Sequence, residues 1–93
     1  MNDYFDDMKE IYDDMKRHRQ DMGKQRIQHF KQSFPEVNIL KETDYSIRFI
    51  ANHHIYDFYP QKCRLFVVKT AKWHTLNRRD FVSDIRKIIN GND

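Results

Sequence analysis

The chain has 93 residues and a net charge of +3, with 39% hydrophobic and 33% charged residues. This length is typical of one domain with a small core, because so short a chain buries only about 60–65% of its unfolded surface. No apolar run approaches the roughly 20 residues that a membrane span requires, and the single cysteine, Cys63, excludes an internal disulfide. We therefore expect an intracellular protein in a reducing environment, without membrane contact.

Charge is distributed unevenly along the sequence. Residues 1–16 carry six acidic residues and two lysines, whereas residues 17–33 carry five basic residues and one aspartate. Residues 62–79 contain six basic residues and no acidic residue. Segregated charge normally belongs to solvated faces. A basic block beside an aromatic stretch also suits an anionic partner.

The N-terminal third shows helical periodicity in two stripes. Apolar residues spaced three and four apart form one face of a helix. The first stripe comprises Phe5, Met8, Ile11, Tyr12, Met15 and Met22. The second comprises Ile27, Phe30 and Phe34, and at about 100° per residue it is rotated by about 140° from Met22. Both stripes cannot face one small core. The helix should therefore kink or break at Gly23, or its two halves should pack against different surfaces.

We favour a protruding helical arm over residues 1–23 and a core over residues 24–91. A methionine-rich stripe is most often ordinary packing surface, but on an arm it suits another protein or a second copy of the chain. The candidate residues for binding a protein partner are Phe5, Met8, Tyr12, Met15 and Met22.

The middle of the chain shows strand patterns. Runs over residues 45–51, 55–59 and 64–69 predict a three-stranded antiparallel β-meander, which a short run over residues 37–40 could extend. Residues 70–74 should lead into a C-terminal helix capped by Asn77 and ended by Asn90-Gly91. The predicted fold class is α+β: a long N-terminal helix, the meander and the C-terminal helix. The predicted core is Ile27, Phe30, Phe34, Ile47, Phe49, Phe58, Leu65, Val67, Phe81, Ile85 and Ile88.

Chemistry-bearing residues do not form a catalytic set. His53, His54 and Asp57 lack the further ligands that zinc needs, and we expect Asp57 to pair with a neighbouring Arg or Lys. Cys63 should be an exposed thiol without a nearby base, and two glycines cannot form a phosphate-binding loop. We predict that the protein is not an enzyme and binds no metal or cofactor.

Aromatic and basic residues intermingle over residues 56–79. Exposed rings on a sheet stack nucleobases at about 1–3 kcal/mol each, and cations contact phosphates. The alternative is that these rings belong to the core. The candidate residues for binding nucleic acid or another anion are Lys62, Arg64, Lys69, Lys72, Trp73, Arg78 and Arg79.

The segment Asp57-Phe58-Tyr59-Pro60, with its following strand and the Arg78-Arg79 pair before the last helix, resembles a family of small uncharacterised phage and prophage proteins. Its members have a charged N-terminal helix and a DFYP-type β-hairpin. The resemblance implies a phage protein in the cytoplasm of an infected bacterium. We expect a non-enzymatic accessory protein that binds and modulates a host macromolecule, in particular a protein that handles nucleic acid. The alternative is direct DNA or RNA binding through residues 62–79.

Overall fold

A computed structural model describes the backbone of residues 2–91 and the side chains of residues 15–91. Its elements are α1 (Asn2–Ser33), β1 (Asn38–Glu42), β2 (Ile47–Ala51), β3 (His54–Tyr59), β4 (Arg64–Val67), β5 (Lys72–Thr75) and α2 (Phe81–Ile89). The strands form one antiparallel sheet in the order β1-β2-β3-β4-β5. The protein is α+β, but the predicted three-stranded sheet is wrong because the sheet has five strands.

The two additional strands lie at the edges of the sheet. The short run near residues 37–40 forms β1, which pairs with β2 through a register shift between Ile39 and Lys41. Strand β5 was not expected at all, since residues 68–71 contain none of the Gly, Pro, Asn or Asp that normally indicate a turn. The chain nevertheless turns there, with Ala71 at a φ of 52°.

Helix α1 is continuous from Asn2 to Ser33, so of the two predicted alternatives the break at Gly23 does not occur. Gly23 is buried against the β3–β4 turn, and a Cβ atom placed on it would lie 2.8 Å from Gln61 Cγ. Three residues further on, the buried Arg26 donates a hydrogen bond of 2.7 Å from Nη1 to the Pro60 carbonyl. The glycine therefore allows the helix to approach the turn closely.

Both helices pack on one face of the sheet. The ring of Phe30 in α1 lies 4.8 Å from that of Phe49 and 5.4 Å from that of Phe58. On α2, Phe81 stacks on Phe58 at 5.4 Å. The predicted core residues are all buried except Ile27, which packs against the core while partly exposed. Three further residues belong to this cluster: Tyr56, Cys63 and Leu76.

The start of α2 differs from the prediction. Asp80 is the N-cap, and its side chain accepts a hydrogen bond of 3.3 Å from the Ser83 amide. Asn77, the predicted cap, instead accepts from the Arg79 amide in the preceding loop. The helix ends as expected, with Gly91 at a φ of 90°. Within the described residues, neither helix is long and apolar enough to cross a bilayer.

Candidate nucleic-acid interface

The second face of the sheet has no helix packed on it among the described residues. The strand register places Arg48, Asp57, Phe66 and Trp73 side by side across β2 to β5. Side chains alternate between the two faces of a strand, so this row lies opposite the core residue Phe58. We define the open face as Arg48, Asp57, Tyr59, Arg64, Phe66 and Trp73.

An aromatic cluster occupies the β3–β5 part of the open face. The indole of Trp73 lies 4.8 Å from the Phe66 ring and 5.3 Å from the Tyr59 ring, tilted by 37° and 44°. Trp73 is 55% exposed, and the other two rings are half-buried. The cluster therefore presents part of its apolar ring surface to solvent, and an apolar patch rimmed by polar residues can mark a binding surface.

The only acidic residue of the open face is neutralised. Arg48 donates from Nε to Asp57 Oδ1 at 2.7 Å and from Nη2 to Oδ2 at 2.9 Å, a bidentate ion pair. The hydrogen bond and charge of Asp57 raise the pKa of the Arg48 guanidinium. The predicted pairing of Asp57 with a neighbouring cation is confirmed. Since half of the Arg48 side chain remains exposed, the pair presents its cationic partner to solvent.

A pocket of about 420 Å³ opens at one end of the open face. It is lined by Tyr45, Tyr59, Gln61, Lys62, Arg64 and Trp73. Tyr45 comes from the β1–β2 turn, where the hydroxyl of Thr43 accepts hydrogen bonds from the amides of Tyr45 and Ser46 at 3.2 and 3.0 Å. These hydrogen bonds order the backbone of the turn, which places a fourth aromatic ring near the cluster. A larger groove of about 610 Å³ runs between α1 and this turn, but no aromatic residue lines it.

The structure separates the seven predicted anion-binding residues. Lys62, Arg64 and Trp73 meet at the pocket. Lys69 lines a different cavity beside the end of α2. Lys72 pairs with the core residue Val67 and so belongs to the other face of the sheet, although its side chain is exposed. The remaining two, Arg78 and Arg79, are exposed in the connection to α2.

The predicted protein-binding residues are only partly described. Met15 is 50% exposed and Met22 is half-buried. The side chains of Phe5, Met8 and Tyr12 lie outside the described residues.

Three residues of the pocket were not among the predicted binding residues: Tyr45, Tyr59 and Gln61. Strict alternation placed Tyr45 on the same face as Ile47, but β2 begins at Ile47 and Tyr45 belongs to the preceding turn. Gln61 carried no signal, because a glutamine in a turn indicates neither burial nor binding. Its close approach to Gly23 exists only in the folded chain.

Cys63 is fully buried, so the expected exposed thiol is wrong. Burial raises the pKa of its thiol, while the charges of Arg26 and Arg78 act in the opposite direction. Among the residues whose side chains are described, no group of three or more His, Cys, Asp or Glu could hold a metal ion.

Comparison with family models, with curated proteins and with solved structures gives no match for this chain. Function is therefore inferred from the geometry of the open face.

Proposed function

We propose that the protein binds single-stranded nucleic acid on its open face. The observation that carries this proposal is the partly exposed cluster of Tyr59, Phe66 and Trp73, on the sheet face that no helix of the described residues covers. Each nucleobase has a flat π-surface, and stacking on an aromatic side chain contributes about 1–3 kcal/mol per base. Adjacent rings on a rigid sheet can accept bases without first being ordered, which lowers the entropic cost of binding.

The charge of the open face complements a phosphate backbone. Lys62 and Arg64 flank the aromatic cluster at the pocket, and the Asp57 carboxylate is occupied by Arg48. A single strand fits better than a duplex, since the base faces of a duplex are stacked on one another and inaccessible to the rings. The proposal therefore specifies unpaired bases stacked on the cluster and phosphates beside the cations.

Fluorescence anisotropy with a labelled mixed-sequence single strand of about 12 nucleotides tests the proposal. Trp73→Ala should weaken binding by roughly five- to a hundredfold, because it removes one stacking platform. Lys69→Ala is the matched control, since Lys69 is an exposed cation in a different cavity, and it should leave the affinity within about twofold. Circular dichroism should show that both variants remain folded.

Two results would contradict the proposal. Wild-type protein that binds no single strand at low salt would exclude this function altogether. Equal affinity of wild type and Trp73→Ala, with binding lost in Lys69→Ala, would move the interface away from the open face.

We propose a protein partner bound along α1 as a second function. It is supported by the exposed side chains over residues 15–19, which include the half-exposed apolar Met15. The phage origin, the host cytoplasm and the host protein implied by the sequence resemblance belong to this proposal. Co-purification under native conditions with mass measurement should give a stoichiometric complex that Met15→Lys dissociates and Trp73→Ala preserves. A wild-type protein that purifies alone as a monomer would contradict it.

A further inference from the structure

We propose that the pocket at the end of the open face holds one nucleobase of the bound strand and that the Gln61 side-chain amide recognises its edge, with a preference for adenine. This inference rests on the proposed binding of single-stranded nucleic acid. It adds a base-specific contact to a surface that would otherwise bind any sequence.

The pocket has the composition of a nucleotide site. Its volume of about 420 Å³ lies within the range of about 300–1,000 Å³ that is common for small-ligand sites. Tyr45, Tyr59 and Trp73 supply three aromatic walls, and Lys62 and Arg64 add two cations at its margin. A base enclosed by these rings would leave its own phosphate close to the cations.

The β3–β4 turn holds Gln61 in place from the helix side. The Gln61 side chain lies along the bare backbone of Gly23, where an added Cβ would be 2.8 Å from Cγ and 3.8 Å from both Cδ and Nε2. Arg26 Nη1 donates to the carbonyls of Pro60 and Gln61 at 2.7 and 3.4 Å. These contacts fix the two peptide groups that flank the Gln61 Cα atom. Helix α1 therefore positions a side chain that lines a pocket on the sheet.

The Gln61 amide is available for a ligand. No hydrogen bond joins its side-chain oxygen or nitrogen to any of the described residues. An amide offers one acceptor and two donor hydrogens, so it can form a paired donor–acceptor contact with a base edge. Because the backbone of Gln61 is already fixed by Arg26, forming that contact requires ordering of the side chain alone.

Adenine matches this amide best. Glutamine forms a bidentate contact with adenine N6 and N7, and in an unpaired base the N6 and N1 atoms offer a second edge with the same donor–acceptor order. Guanine also presents such pairs on two edges, O6 with N1 and N3 with N2, whereas cytosine presents one pair and thymine has a single donor, N3. The preference for adenine therefore rests on the N6 and N7 pairing that glutamine forms with this base. The aromatic walls stack on every base, so discrimination would come from Gln61.

The test uses four labelled strands of twelve nucleotides that are oligothymidine except for one central position occupied by A, C, G or T. Wild-type protein should bind the adenine strand roughly tenfold more tightly than the all-thymine strand. Gln61→Leu keeps the stem beside Gly23 and removes the amide, so it should abolish this preference without weakening binding to the all-thymine strand. Gln32→Leu is the matched control, since Gln32 is exposed on α1 outside the pocket, and it should preserve the preference.

Failure of this inference is distinguishable from failure of the proposed function. Binding that depends on Trp73 but is equal for all four strands would overturn the base contact and leave the open face as the interface. Gln61→Leu protein that keeps the adenine preference would likewise show that the Gln61 amide does not recognise the base. If wild-type protein binds none of the strands, both proposals are wrong.

Discussion

Three features of Cys63 indicate a structural role. Its φ of 53° lies in the left-handed region, where a non-glycine residue is strained. Its carbonyl accepts a 2.9 Å hydrogen bond from the Leu76 amide, which ties the β3–β4 turn to the segment after β5. The buried thiol fills the core beneath the turn. The residue is therefore structural, and its ionisation should oppose folding.

Ionisation of Cys63 should make the protein less stable in alkali. The folded-state pKa of the thiol lies above its ordinary value of 9.0. Between the two values the native protein retains a proton that the unfolded chain releases, so the free energy of unfolding falls as the pH rises through this window. We expect the stability of wild type relative to Cys63→Ala to decrease between pH 8 and pH 10.

Urea unfolding at several pH values, under reducing conditions, measures this difference. Comparison with Cys63→Ala removes the contribution of the lysines and tyrosines, which both proteins share. A stability difference that stays constant would show that the folded-state pKa of the thiol is not raised. One that grows with pH would show that the charges of Arg26 and Arg78 outweigh burial and lower this pKa.

At the scale of elements, the contact between α1 and the β3–β4 turn links the helix to the pocket. Gly23 carries no side chain, and this allows the Gln61 stem to lie against the helix backbone. In a helix interior glycine is about 1 kcal/mol less favourable than alanine. Here the close approach offsets that deficit, so Gly23 and Gln61 should be energetically coupled.

A double-mutant cycle at these two positions should reveal the coupling. In the Gln61→Ala background, Gly23→Ala should raise the free energy of unfolding by about 1 kcal/mol, because the helix gains propensity and the clashing Cγ is absent. In the wild-type background the same change should give no gain, since the new methyl group must displace the Gln61 side chain. Urea unfolding of the four proteins provides the four values. Equal effects of Gly23→Ala in both backgrounds would argue against the contact.

The apolar faces of the helices could be predicted from the sequence, but the number of strands could not. The α2 face and the second stripe of α1 were found because helical periodicity depends on local spacing. A turn between β2 and β3 was expected over residues 52–54, but His54 already belongs to β3. The two turn residues, Asn52 and His53, both have positive φ, as a two-residue hairpin of type I′ requires. Strand β5 was missed because Ala71 takes a left-handed conformation that residues of its type rarely adopt.

At the scale of the whole molecule, the protein has two layers: both helices pack on one face of the sheet, and no helix of the described residues covers the other face. Alternation along a strand shows which residues share a face, but it does not show which face the helices cover. The sequence therefore left open whether the aromatic residues near Trp73 belong to the core or to a binding surface. The pocket forms where two turns and the ends of three strands, distant in the sequence, come together in the fold. Only three of its six residues were therefore among the predicted binding residues.

The net charge of +3 and the local cations give a salt dependence to the proposed binding. Two phosphate contacts, at Lys62 and Arg64, correspond to a slope of about −1.4 for the logarithm of affinity against the logarithm of salt concentration. This modest slope is expected in the anisotropy experiment, because the stacking contribution does not depend on salt. A much steeper slope would indicate that charge, rather than the rings, provides most of the affinity.

The position of Trp73 also determines what optical measurements on this protein will report. It is the single tryptophan of the chain, and it lies on the open face at 55% exposure. Its ultraviolet emission should resemble that of an indole in water and should be quenched when a base stacks on it. Unfolding also separates the indole from Phe66 and Tyr59, so denaturation followed by this emission will report the loss of the open face rather than the melting of the interior.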